Sequence, residues 1–202
     1  MDVQISGSGN LSVTGELTLQ NRDGKTNEYT GKTSVEAAGD LIAEAGALGT
    51  SGMHTSDLLV SGAFTNAGNN TVGRIDLTGN ADLSDETTLT VAGTGAESVI
   101  SGKLTGSGDM ALEMGGMTVT SANSGYNGDV VLGKEGVAAT SLTLKAGASL
   151  GNGTIRFNGK YVTLNVEASG ATELSNALDL AELGGKIVVT GDGDDSFALS
   201  LI

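Results

Sequence analysis

The sequence predicts an all-β chain wound as a right-handed parallel β-helix of about ten turns, and three observations carry that prediction. Apolar and polar residues alternate with period two over short runs. Gly, Asn or Asp interrupts those runs at brief, regular intervals. A unit of about 100 residues occurs twice, the mark of a repeat architecture.

The alternation is seen in Leu11-Ser12-Val13, Leu17-Thr18-Leu19, Ile75-Asp76-Leu77, Leu142-Thr143-Leu144 and Val162-Thr163-Leu164. Thr and Val are frequent, as a pleated, half-buried surface favours. Immunoglobulin-like sandwiches and up-and-down barrels need strands of about five to ten residues joined by hairpins. These runs are shorter, and no recurring hairpin signal separates them, so a solenoid of short parallel strands fits better. Helical spacing is ambiguous only at Ser175 to Leu183, which is read as short turns of the coil.

Composition agrees. The chain has 202 residues, 33 of them Gly, with three Tyr, three Phe and no Trp. Compact cores of that length draw on aromatic rings for buried area, whereas Ala, Val, Leu and Ile pack well into a narrow interior. On this reading Leu11, Val13, Leu17, Leu19, Leu112, Leu142, Leu144 and Ile155 share one continuous core.

The repeat sets Ile5–Leu19 (ISGSGNLSVTGELTL) against Leu104–Val119 (LTGSGDMALEMGGMTV). Downstream, Asn27-Glu28-Tyr29-Thr30-Gly31 matches Ser124-Gly125-Tyr126-Asn127-Gly128, and Ala47-Leu48-Gly49 matches Ser149-Leu150-Gly151. Residues 1–202 therefore read as a single β-helical piece, with repeats at about 3–98 and 99–195 and a third beginning near 196. The second copy is longer by the stretch Gly133 to Ser141, the expected protruding loop. Both ends read as cut from something longer, and Met1 is not followed by a signal peptide.

These residues, in this order and twice over, resemble the passenger-associated repeat of autotransporter proteins. The resemblance covers most of the chain and is clearest over residues 99–159. It implies a passenger exported to the surface of a Gram-negative bacterium through a C-terminal outer-membrane barrel outside this stretch. Members of that family are commonly adhesins, self-associating factors or toxins, so it also implies adhesion or self-association, as in aggregation, biofilm and virulence, and the chain itself is read as no enzyme. The Gly-Asp-Ser-Gly stretch of the protease-bearing members is absent. Zero Cys and zero Pro suit a chain threaded unfolded through a pore, which disulfides and slow prolyl isomerisation would hinder.

A formal charge of −14 keeps such a chain soluble and repels phosphate backbones. No basic cluster or aromatic stacking platform is legible, so nucleic acid is a poor partner. No apolar run approaches the length of a membrane span. The expected partners are the same protein on neighbouring cells, or a host or abiotic surface. No cofactor is expected.

The candidate chemistry is sparse. His54 is the only His, in a stretch read as a loop, and no nucleophile elbow accompanies it. Asp192, Asp194 and Asp195 approach a calcium nonapeptide, but one copy provides half of a cage, so a plain acidic turn is preferred over a metal site. Polysaccharide-acting enzymes share this fold, yet Asp23, Asp40 and Asp109 read as turn residues, and Arg22, Arg74 and Arg156 are scattered. Asn66, Asn69, Asn70 and Thr71 admit two readings. They are either turn chemistry and Asn stacking within the coil, or an outward polar wall that pairs with another copy. A passive stalk displaying another domain is the remaining alternative for function.

Overall fold

A computed structural model describes residues 5–202 except 22–26, 51–52, 94–95, 138, 170, 181–183 and 192–195. The chain is a parallel β-helix without helices among the described residues, as the period-two pattern requires. Three stacks of parallel strands form its walls.

The long wall stacks nine strands: Leu11–Val13, Thr33–Val35, Leu58–Val60, Ile75–Leu77, Ser98–Ile100, Gly115–Val119, Thr140–Leu144, Val162–Glu167 and Lys186–Thr190. A second wall stacks Glu16–Leu19, Asp40–Ala43, Ala63–Asn66, Asn80–Leu83 and Lys103–Gly106. A third stacks seven strands, from Asn70–Val72 through Thr88–Val91, Asp109–Leu112, Val130–Leu132, Ile155–Phe157 and Ala171–Asp179 to Ser196–Leu201. Before Asn70 the third wall is approximated by the short pair Ser6–Gly7 and Glu28–Tyr29 and by a bridge from Thr55 to Val72. Beyond Gly106 the second wall is reduced to isolated bridges, Gly106 to Tyr126 and Ala122 to Ser149.

Side chains on each wall alternate between core and exterior, so one apolar column per strand position fills the interior. Val13, Leu19, Leu112, Leu142, Leu144 and Ile155 are buried, and Leu11 and Leu17 pack against the same cluster from the first coil. All eight positions assigned to the core thus belong to it.

The coil makes about seven complete turns where ten were expected. An assumed turn of about 20 residues is too short, because the corners vary in length. Along the long wall, stacked partners lie closest in sequence at Leu58 and Ile75 and farthest at Thr33 and Leu58 or Met117 and Leu142.

Close stacking explains the corner glycines. At the corner between the long and second walls, Gly39, Gly62, Gly79 and Gly102 lie in one column. A Cβ on Gly79 would fall 2.2 Å from the Gly62 carbonyl oxygen, and one on Gly102 would fall 2.1 Å from that of Gly79. Backbone approaches this near admit no side chain.

The two sequence repeats occupy different faces. Leu11 lies in the long wall and its counterpart Met110 in the third; Leu17 lies in the second wall and Met117 in the long one. The motif is a strand–corner–strand unit that occupies two different corners of the coil. Locally the copies agree: Gly7 and Gly106 both take left-handed φ values (96° and 98°). Each pairs with its repeat's tyrosine, Tyr29 or Tyr126, and both rings are buried.

Three local expectations are revised. His54 ends the strand Met53–His54, which pairs antiparallel with Gly49–Thr50, so a small hairpin stands where a loop was read. Asp40 and Asp109 begin strands and are not turn residues. Ser175 to Asp179 continues a strand that starts at Ala171, because Leu174, Asn176 and Leu178 turn inward with period two, which prevails over ambiguous helical spacing.

Candidate functional site

Of the four residues that admit an inward or an outward reading, three are buried. Asn66 is 0% exposed, Asn70 2% and Thr71 7%; only Asn69 reaches solvent. The physical reason is the corner's hydrogen-bond demand. The Asn70 Oδ1 accepts from the Leu48 N–H at 3.0 Å, while its Nδ2 donates to the Ala43 and Gly68 carbonyls and to Asn66 Oδ1. Asn66 Nδ2 in turn donates to Thr87 Oγ1 at 3.1 Å. Buried amides that satisfy otherwise orphaned backbone groups are structural. Asn69 serves the same end from outside, accepting from the Thr88 N–H of the next coil at 2.8 Å.

The same device recurs at other corners. Asn27 accepts from Ile5 N–H and Asn123 from Leu104 N–H, and Asn176 donates to the Leu150 and Gly153 carbonyls. A second buried group is made of hydroxyls: Tyr29 Oη meets Thr33 Oγ1 at 2.6 Å, and Thr33 Oγ1 meets Thr55 Oγ1 at 3.1 Å. Burial raises the Tyr29 pKa against the opposing effect of those hydroxyls. Burial raises the Tyr126 pKa further, aided by the Asp109 and Asp129 carboxylates.

The other sequence candidates do not converge. Asp192, Asp194, Asp195, Asp23 and Arg22 lie outside the described residues. Among the described residues the His54 ring meets the adjacent Thr55 carbonyl through Nδ1, at 3.1 Å. Arg74 pairs with Asp57 at 3.1 Å, and Arg156 bridges Asp129 at 3.0 Å and Asp179 at 3.9 Å. Among the described residues no three His, Asp or Glu side chains are placed to hold a metal, and no helix is long and apolar enough to cross a membrane.

What the fold does build is a long regular face. The outward column of the long wall runs Ser12, Ser34, Leu59, Asp76, Val99, Thr118, Thr143, Asn165, Val188. Asp76 is its sole charge, in a chain of net charge −14. The second wall presents Glu16, Asp40 and Asp82 against one cation, Lys103. That column therefore combines small, mostly hydroxyl or aliphatic groups at a repeat of about 4.8 Å, with the Glu36 and Glu97 carboxylates reaching Ser12 and Thr118 from its edges.

Coiling also brings together what the linear sequence kept apart. At the corner entering the long wall, Lys160 and Tyr161 lie one coil below Lys186, which stacks on Thr163. Of the described aromatic side chains only Tyr161 is exposed, at 62%. Sequence reading found no basic cluster because about 25 residues of chain separate the two lysines. The signal that would have found it is the coil period applied to charged residues.

No family model, curated protein or solved structure matches this chain.

Proposed function

We propose that the chain is a surface-displayed passenger piece of the autotransporter type, acting in adhesion or self-association through the outer face of its long wall. The nine-strand column of nearly uncharged side chains supports this reading. Each contact on it is worth no more than about 0.5–1.5 kcal/mol, but a regular column repeats the contact at every coil, and repetition multiplies weak binding. A −14 chain meets a second copy, or any anionic surface, with least repulsion where its own charge is sparsest.

Sedimentation of the purified chain over a range of concentrations tests this. The mass is expected to rise with concentration, and Ser34→Arg with Thr143→Arg is expected to hold it at the monomer while the β-sheet circular dichroism persists. A chain that stays monomeric throughout, and that neither clumps displaying cells nor retains them on a surface, is a passive stalk.

A further inference from the structure

We infer that the corner formed by Lys160, Tyr161 and Lys186 is a binding site for an anionic saccharide, a sugar ring bearing a carboxylate or a sulfate. The inference names a ligand class for the adhesion reading and rests on it for biological purpose only; the site itself stands on its own geometry.

Tyr161 is left uncovered by construction. In the column of stacked residues Ala139 lies on the coil before it and Gly184 on the coil after, since Thr140 pairs with Val162 and Thr163 with Lys186. A Cβ on Gly184 would meet nothing within 4 Å. The Tyr161 carbonyl is pinned by the Thr140 N–H at 3.1 Å, so the ring's backbone is fixed while its side chain is free. The remaining described aromatics, Tyr29, Phe64, Tyr126 and Phe157, are each at most 2% exposed. An open ring on a rigid corner is a stacking platform for the apolar face of a sugar.

The charge at this corner runs against the rest of the molecule. Lys32 and Arg74 pair with Asp57, Lys134 with Glu113, Lys145 with Glu167, and Arg156 with Asp129. Lys103, Lys160 and Lys186 have no carboxylate partner among the described residues; Lys160 and Lys186 alone of these share a corner on adjacent coils, and the Lys160 ammonium sits 5.9 Å from the Tyr161 ring centroid. Both lysines are exposed. Glu135, in the turn that follows the strand Val130–Leu132, adds one carboxylate, so the described corner keeps a net positive charge. The net −14 of the chain acts at long range but is screened beyond about 8 Å at physiological ionic strength, leaving the Lys160 ammonium beside the ring, and Lys186 on the next coil above Thr163, to select an anion at contact.

The test is titration of the whole chain with an oligogalacturonate tetramer, with a sulfated tetrasaccharide, and with uncharged maltotetraose, followed by the Tyr161 ring resonances. At least one anionic probe is expected to bind and shift those resonances, and maltotetraose to leave them unmoved; which anion binds tighter tells carboxylate from sulfate. Lys160→Ala with Lys186→Ala is expected to weaken binding at least tenfold and Tyr161→Ala at least fivefold. Lys103→Ala, an unpaired lysine on the second wall, should leave binding unchanged. Absence of binding by both anions overturns the site, as does an equal loss in Lys103→Ala. A thymidine oligonucleotide that competes as strongly overturns the saccharide assignment in favour of a general polyanion. The same variants read in sedimentation keep the two proposals apart: loss of saccharide binding with self-association intact touches only this corner.

Discussion

Single residues in this chain are judged by whether the next coil tolerates them. Glu86 holds φ at 58° in the exposed turn Ser84-Asp85-Glu86-Thr87, which Thr87 Oγ1 closes onto the Ser84 carbonyl at 2.7 Å. A side chain in that region costs about 1–2 kcal/mol, and Gly avoids the cost at some loss of unfolded-state entropy. Glu86→Gly should therefore raise stability by about 0.5–1 kcal/mol, read as a higher urea midpoint at unchanged slope; a lower midpoint would show that the Glu86 side chain makes a contact of its own. Tyr29 and Tyr126 define an alkaline limit. Their pKa values are raised in the folded chain, so as pH climbs past the ordinary tyrosine value near 10 the unfolded chain releases protons that the folded chain keeps. Stability is fully present below that pH and falls above it. Tyr126→Phe should flatten the fall between pH 9 and 11, and an unchanged slope would exclude Tyr126 as its source.

At the scale of a strand, apolar columns outweigh charge ladders. Leu142 is fully buried, between Met117 and Leu164 in the long wall. Leu142→Ala should cost about 2–5 kcal/mol, as large-to-small changes in tight cores do. Arg156 joins three coils through Asp129 and Asp179, yet it is half exposed, and Arg156→Ala should cost under about 1 kcal/mol and less in high salt. Urea titration of both variants checks the ranking, and a larger loss in Arg156→Ala would reverse it. The strands also show how far the sequence was legible. Leu142 and Ile155 were placed correctly because alternation fixes which face a strand residue takes. Asn66 and Asn70 admitted both an inward and an outward reading, because they sit at or beside a corner, where direction depends on which backbone groups the adjacent coil leaves unpaired. Lys160, Tyr161 and Lys186 were missed for a related reason: their neighbourhood is set by a coil length that varies from turn to turn.

For the whole molecule, each coil bonds only to its two neighbours, so stability is a sum of coil and interface contributions and not a single core's worth. The end coils lack one neighbour within the described chain, and their side chains show it. Val189 is 41% exposed and Ile187 only partly buried on the last strand of the long wall, as Leu11 is on the first. Between them Val35, Leu58, Leu77, Ile100, Val119, Leu142 and Leu164 are each at most 1% exposed. Amide hydrogens in local openings exchange according to the free energy of the unit that opens. Protection along the long wall should therefore peak in the strands from Ile75–Leu77 to Thr140–Leu144 and decline toward both Leu11–Val13 and Lys186–Thr190. Hydrogen exchange followed by mass spectrometry of proteolytic peptides measures that profile. A uniform profile would mean that the coils unfold as one cooperative unit, and the nearest-neighbour account would fail. If the long face also mediates self-association, raising the concentration should add protection to its central strands without altering the graded ends, because lateral contacts cover the wall and leave the terminal coils open.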